Sequence, residues 1–195
     1  WSSKGVEGSL RFIKRVVDYV SSVKISKTSK KIESKLNKTI DEVTKNIENF
    51  GYNFAIIKIR ELFDSLENEI SKKDLEKFLK LMHPFCPHIT EELWEKIGNK
   101  NFISLDKWPE VDKSKINKKF EEAEKAFDSL ISDIANVMNI MKDKKIEFEK
   151  VYVYALPKEV ENYNVEELTK RVNKEVIVHS VSDKEKYDPE NKSKR

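Results

Sequence analysis

The segment His83-Pro84-Phe85-Cys86-Pro87-His88 holds two imidazoles and one thiol, which are groups that can bind zinc. A structural zinc site normally takes four ligands, yet the sequence has no second cysteine, and His179 is its one remaining histidine. Prolines on either side of Cys86 restrict the backbone and are typical of a stiff turn between helices. We therefore predict a packed turn with no metal and no catalytic Cys–His pair, because nothing specific orients the base.

A second segment that could suggest chemistry is Lys24-Ile25-Ser26-Lys27-Thr28. It is similar to the Lys-Met-Ser-Lys-Ser loop that class I aminoacyl-tRNA synthetases use at ATP. However, no nucleotide-binding β-α-β unit precedes it, and the partner motif His-Ile-Gly-His is absent from the sequence. No glycine-rich phosphate-binding motif occurs either. We interpret the segment as a solvated connector between two helices and expect no catalytic residues and no bound cofactor in this chain.

Basic residues are concentrated near the start of the chain. The window from Arg11 to Lys31 contains seven of them and one acid, Asp18, and therefore has a net charge of +6. They are Arg11, Lys14, Arg15, Lys24, Lys27, Lys30 and Lys31. The first three share one side of a predicted helix, and the others continue past its end, so the stripe can follow a phosphate backbone. A lysine run can equally be no more than a solvated helix face.

The whole sequence describes a protein with a strongly charged surface: 38% of its 195 residues are hydrophobic, 37% are charged, and the net charge is +3. A single cysteine excludes an internal disulfide framework. No run approaches the roughly twenty apolar residues of a membrane helix, and no secretion signal opens the chain. We expect a soluble, cytoplasmic, monomeric protein that does not bind membranes. Because it begins at Trp1, we also expect a fragment of something larger.

Apolar residues recur at steps of three and four in six successive segments, which predicts six helices. Gly51 suits the left-handed residue that closes the second helix, and Ser71 followed by Asp74 suits the cap that opens the fourth. Pro84 ends the fourth helix, and Pro87 begins the fifth. The segments run from Val6 to Val23, Ile32 to Phe50, Phe54 to Ile70, Leu75 to Met82, Ile89 to Ile97, and Phe120 to Met141.

After Lys145 the apolar period changes to two, which predicts strands at Phe148 to Val153 and Val176 to Val181 around a short helix, Val165 to Val172. The fold class is therefore mainly α, a helical bundle (1–145) followed by a small β-α-β module (146–182) and a mobile polar tail (183–195). The two strands should be parallel. Since two strands alone are marginal in water, the module either packs on the bundle or lacks a third strand.

Three motifs resemble leucyl-tRNA synthetases and occur in that family's order. Trp1–Val16, which includes Gly-Val-Glu-Gly, resembles the opening of their helical bundle. Leu81–Gly98, with Pro-His-Ile after its turn, resembles their late-bundle motif, and Ser104–Pro109 resembles the loop that follows. Tyr187-Asp188-Pro189 and the basic residues after it resemble the archaeal type.

This resemblance implies an anticodon-binding bundle of the class Ia type, cut from an enzyme that joins leucine to its tRNA with ATP and Mg²⁺. It implies two partners, leucine-accepting tRNA and the remaining domains of the synthetase. Leucyl enzymes rely on the tRNA body, and archaeal types place the C-terminal module near the long variable arm. We therefore add Lys192, Lys194 and Arg195 to the seven basic residues as candidate tRNA contacts.

Other functions remain open on the sequence. Valyl- and isoleucyl-tRNA synthetases share the general Pro-Phe-x-Pro turn and the Glu-Glu-Leu-Trp ending. From another class, a helical scaffold could dock proteins through its faces. A free-standing metalloenzyme built on His83, Cys86 and His88 is the third alternative.

Overall fold

The computed structural model describes residues 3–160 and 163–183. The predicted class, a mainly α bundle followed by a small module with two strands, is confirmed. In chain order the elements are α1 Ser3–Ser22, β1 Lys24–Ile25, α2 Lys30–Glu48, α3 Tyr52–Asp64, β2 Glu69–Ile70, α4 Lys72–Met82, α5 Pro87–Lys96, α6 Lys118–Asp143, β3 Lys150–Ala155, α7 Pro157–Val160, α8 Val165–Val172 and β4 Glu175–Ser180. Short 3₁₀ turns occur at Ile103–Leu105 and Lys113–Lys115.

The chain divides into two compact units, Trp1–Phe120 and Glu121–Arg195. Nearly all of α6 therefore belongs with the second unit, whereas the hydrophobic pattern had grouped it with the bundle up to residue 145. The reason is packing: Phe127 and Ile134 of α6 are buried in one cluster with Leu168 of α8. An apolar stripe shows that a helix is buried on one side but does not show against which unit.

The core of the first unit is built from the predicted helical stripes. Each of α1 to α5 contributes buried residues to one hydrophobic cluster. Full burial of one such side chain stabilises the fold by about 1.5–3 kcal/mol. The most deeply buried members include Val16, Leu36, Ile40, Val43, Ala55, Leu62, Leu75, Phe78, Leu79 and Leu81. This core fixes the helices whose ends form the basic surface described below.

Local signals at two helix starts are confirmed. The Ser71 hydroxyl accepts a hydrogen bond from the Asp74 backbone N–H at 3.2 Å and so caps α4. Pro87 occupies the first turn of α5, where its missing N–H is not needed.

The prediction for Gly51 was wrong, because the left-handed residue after α2 is Phe50, with φ of 58°, while Gly51 has φ of −83°. Gly51 is needed for a different reason. A Cβ at this position would meet Asn46 Oδ1 at 3.1 Å and the Asn46 carbonyl oxygen at 3.3 Å. The Gly51 N–H also donates to that carbonyl at 2.6 Å, so the turn passes tightly over the end of α2.

The prediction that the third helix reaches Ile70 was also wrong. Helix α3 ends at Asp64, and Ile70 lies in β2, which pairs in parallel with β1 in the register Lys24 to Glu69 and Ile25 to Ile70. Ile70 is buried, as its apolar character indicated, but a single buried residue does not distinguish a helix from a strand.

The second unit contains the predicted module. Strands β3 and β4 pair in parallel, from Lys150 opposite Glu175 to Ala155 opposite Ser180, as the sequence predicted. Val153 and Val176 point into the cluster that Leu168 of α8 completes. Asn164 caps α8 by accepting from two backbone N–H groups, and Asn173 closes it in the left-handed conformation.

Candidate nucleic-acid interface

The parallel pair of β1 and β2 brings two helix starts to one edge of the bundle. Each strand leads within a few residues into a helix, β1 into α2 and β2 into α4. Because parallel strands end at the same edge, the first turns of α2 and α4 begin beside each other. Both are capped by a serine, Ser29 for α2 and Ser71 for α4. Two positively polarised helix ends therefore lie close together.

A buried hydrogen-bond network joins these two starts, and we call it the Thr28 network. It consists of Thr28, Ser71, Asp74 and Lys77. The Thr28 hydroxyl donates to Asp74 Oδ2 at 2.6 Å and accepts from the Ser71 backbone N–H at 2.9 Å. The Ser71 hydroxyl donates to the same carboxylate at 2.7 Å, and Lys77 Nζ lies 3.2 Å from its other oxygen. The connector after α1 is thus exposed from Lys24 to Lys27 as predicted, but it is anchored at the buried Thr28.

The charge of Asp74 is kept by its partners despite burial. Burial raises the pKa of this carboxyl, but hydrogen bonds from Thr28, Ser71 and Lys77, with the charge of Lys77, outweigh it and leave the pKa below its ordinary value. The carboxylate therefore accepts all these hydrogen bonds at neutral pH and ties the connector to α4.

Four of the predicted contact residues are exposed and available. They are Lys14, Lys27, Lys30 and Lys31. Within residues 3–160 and 163–183, no carboxylate lies in ion-pair distance of any of the four. Lys27 lies directly before Thr28, and Lys30 and Lys31 open α2, so three of the four stand at the joined helix starts.

The other three residues of the predicted stripe have partners within the chain. Arg11 lies 3.8 Å from Glu7, one turn earlier on α1. Arg15 pairs with Asp64 of α3 at 2.7 Å. Lys24 pairs with Glu69 across the two strands at 2.6 Å. The hydrogen bond from Lys24, with one from Ser26 and the lysine charge, lowers the pKa of the exposed Glu69 carboxyl.

Lys192, Lys194 and Arg195, the remaining predicted contacts, lie outside the described residues. The same holds for nearly all of the predicted tail.

Two further lysines belong to this edge and were missed. Lys72 and Lys73 begin α4 immediately after Ser71, whose N–H contacts Thr28. The sequence predicted that a helix begins after Ser71. It did not show that the pairing of β1 with β2 brings this helix start to Thr28, the residue after Lys27. Lys73 is exposed, while Lys72 lies 3.9 Å from Glu76.

The turn His83 to His88 is packed by hydrogen bonds to the helices on either side of it, α4 and α5. His83 Nδ1 lies 2.8 Å from Thr90 Oγ1, and the Cys86 thiol donates to the Met82 carbonyl at 3.5 Å. Burial raises the pKa of Cys86 to about 11, so the reactive thiolate is scarce at neutral pH. In the described part of the chain, no three His, Cys, Asp or Glu residues are grouped to hold a metal ion.

Comparison with known proteins agrees with this architecture. Residues 29–153 match the family model "Anticodon-binding domain of tRNA ligase", which is more than half of the chain. The chain belongs to the family of anticodon-binding domains of tRNA ligases.

Individual relatives carry the name leucine–tRNA ligase. The protein of Staphylothermus marinus is 32% identical over 163 residues, which cover 77% of this chain and 16% of the relative. That of Rickettsia bellii is 35% identical over 127 residues, 58% of this chain and 15% of the relative. That of Elusimicrobium minutum is 38% identical over 117 residues, which cover 57% of this chain and 14% of the relative. The chain thus matches 14–16% of the length of these relatives. None of its described helices is long and apolar enough to cross a membrane.

Proposed function

We propose that this chain is the tRNA-binding portion of a leucine–tRNA ligase and that it grips the body of leucine-accepting tRNA. The family match and the names of the relatives support this role. The observation that carries it is the joined starts of α2 and α4, where Lys27, Lys30 and Lys31 stand exposed. Unpaired ammonium groups next to positively polarised helix ends attract phosphate oxygens.

The mechanism is positioning. We place aminoacylation with leucine, ATP and Mg²⁺ in a domain outside these 195 residues, and we expect these residues to supply no catalytic group and to bind no cofactor. Binding energy released at the tRNA body orients the acceptor end at that distant site, and orientation of this kind lowers the barrier of the reaction.

The contacts are mostly to phosphates and carry no base specificity of their own. Lys14, Lys27, Lys30 and Lys31 bind directly. Arg11, Arg15 and Lys24 contribute by exchanging an intramolecular carboxylate for a phosphate. In an archaeal-type enzyme, Lys192, Lys194 and Arg195 face the long variable arm.

The remaining domains of the synthetase are the second partner. Helices α1 and α3 have apolar side chains that are about half exposed or more, and another domain could cover them. They are Val6, Leu10, Phe54 and Ile57. The same residues favour the alternative of a protein-interaction scaffold, for which tRNA binding is not expected. We propose that the isolated chain is a cytoplasmic monomer.

The test removes three charges from the proposed surface and three from elsewhere in the same unit. The triple-lysine variant is Lys27→Gln/Lys30→Gln/Lys31→Gln. The control is Lys45→Gln/Lys100→Gln/Lys107→Gln, all exposed. Lys45 lies near the other end of α2, about 20 Å along the helix from Lys31.

Affinity for a leucine tRNA transcript is measured by filter binding over a range of salt concentrations. Each lost phosphate contact reduces the salt slope by about one, so the triple-lysine variant should lose about three and bind at least roughly tenfold more weakly. The control should change affinity by less than about threefold, through long-range charge alone. Equal losses in a folded variant and its folded control would refute the proposed surface.

A further inference from the structure

The Thr28 network lies next to the exposed lysines in the sequence, which suggests a role in placing them as well as in stabilising the fold. Thr28 follows Lys27 directly and precedes Lys30 and Lys31 by two and three residues. Its hydroxyl contacts Ser71 and Asp74, which lie at the start of α4, 43 and 46 residues further along the chain. The network therefore connects the lysine segment to the rigid part of the bundle.

We propose that Thr28 and Asp74 are positioning residues, which hold Lys27, Lys30 and Lys31 in the arrangement that phosphates bind. The inference rests on the proposed function, since it concerns how the same surface is built. Neither residue contacts the tRNA itself.

The strand pair next to this segment is too short to hold it alone. Strands β1 and β2 contain two residues each, and the pair Lys24 to Glu69 is solvent-exposed. Two-stranded ribbons of this size are marginal in water, and exposed ion pairs add little. The buried anchor at Thr28 is the contact that water does not compete for. Ser26 and Ser29 keep their own hydrogen bonds, from the Ser26 N–H to the Ile70 carbonyl and from the Ser29 hydroxyl to Glu67. Without the Thr28 anchor, Lys27 between them would have to be ordered when the phosphate binds, and that ordering lowers affinity.

The acid in the network does not cancel the basic surface. The Asp74 side chain is buried, and its charge is matched by Lys77, with Lys115 also close enough to interact. Its negative charge still lies near any bound phosphate. Removing that charge while keeping the shape should raise RNA affinity if Asp74 acts only electrostatically, whereas loss of positioning should lower affinity. The two roles therefore predict opposite signs.

The experiment measures the affinity of the 195-residue chain for a leucine tRNA transcript. Thr28→Val removes the hydroxyl at nearly constant volume, and Thr28→Ser keeps it. Asp74→Asn removes the charge and weakens the network. We expect Thr28→Val and Asp74→Asn to bind about fivefold to tenfold more weakly, and Thr28→Ser to stay within about twofold of the unaltered chain.

The same substitutions are then placed in the triple-lysine variant, which lacks the three ammonium groups that Thr28 and Asp74 are proposed to hold in place. Thr28→Val and Asp74→Asn should have no further effect on tRNA affinity there. A loss of the same size in both backgrounds, or tighter binding by Asp74→Asn, would overturn the inference. If Thr28→Val does not fold by circular dichroism, Asp74→Asn and Thr28→Ser decide the question by the same comparison.

The triple-lysine variant and Thr28→Val together separate a wrong surface from a wrong role for Thr28. If the triple-lysine variant binds tRNA as the unaltered chain does, the surface itself is wrong, and the positioning role fails with it. If that variant loses affinity while Thr28→Val does not, the surface stands and only the positioning role is refuted.

Discussion

Replacing Arg15 by methionine tests whether the pairs found in the structure hold the bundle together. Arg15 Nη2 lies 2.7 Å from Asp64 Oδ1, and the guanidinium lies 5.1 Å from the ring centre of Phe63. The two partners belong to α3, 48 and 49 residues away in sequence. The substitution removes both contacts and keeps most of the apolar length of the side chain.

The magnitude follows from the exposure of the pair. The side chains of Arg15 and Asp64 are 59% and 47% exposed, so solvent screens their attraction. An exposed ion pair contributes about 0.2–1 kcal/mol. A cation over an aromatic ring at an exposed site contributes about 0.5–1 kcal/mol. Arg15→Met should therefore lower the free energy of unfolding by about 1–1.5 kcal/mol at low salt.

Urea denaturation of Arg15→Met, Asp64→Asn and the double variant separates the two contributions. The ion pair should appear as a coupling of about 0.5 kcal/mol that shrinks in roughly 0.5 M salt, while the ring contact persists. A loss below about 0.3 kcal/mol for Arg15→Met, with no coupling to Asp64, would refute this reasoning. Arg15 would then be as available for phosphate as Lys14.

Three further outcomes are expected. Because the folded pKa of Asp74 lies below its unfolded value, its contribution to stability is present above about pH 4 and lost as pH falls through the folded pKa. Urea midpoints should therefore fall less steeply between roughly pH 4 and pH 2 in Asp74→Asn, and equal slopes would contradict this. The pKa of Cys86, raised by burial to about 11, predicts alkylation by iodoacetamide roughly 100-fold slower than in the urea-unfolded chain, and comparable rates would argue against the packed turn. Leu168 is fully buried, so Leu168→Ala should destabilise the second unit by about 2–5 kcal/mol in urea denaturation monitored by circular dichroism, and a loss below about 1 kcal/mol would contradict its place in the core.

Local signals predicted much of the fold. The Ser71 cap, Pro87 in the first turn of α5 and the alternation in β3 each depend on residues a few positions apart, and all are present in the structure. Ile70 could not be assigned in this way, because its strand partner Ile25 lies 45 residues earlier. Phe50 takes a left-handed conformation that its residue type disfavours. Gly51, which has no side chain, allows the close contact with Asn46. The sequence does not reveal that the left-handed residue is Phe50 and that the close contact is at Gly51.

The sequence also predicted only part of the candidate site. The concentration of basic residues near the start of the chain was visible in the sequence. The pairing of Arg15 with Asp64 and of Lys24 with Glu69 was not, because it depends on how α1 and the strands pack. The place of Lys73 at the start of α4, which Thr28 joins to the start of α2, was hidden for the same reason. Charge placement along a chain indicates a partner class, but tertiary contacts decide which charges remain available.

The salt dependence of tRNA binding by the unaltered 195-residue chain shows whether its exposed lysines bind phosphates. If Lys14, Lys27, Lys30 and Lys31 each neutralise one phosphate, the logarithm of the association constant should fall with the logarithm of salt concentration at a slope of about −3 to −4. Contributions from Arg11, Arg15 and Lys24 would make the slope steeper, to about −6 if all three bind phosphates. A slope near zero, or no measurable binding to tRNA at low salt, would contradict the account.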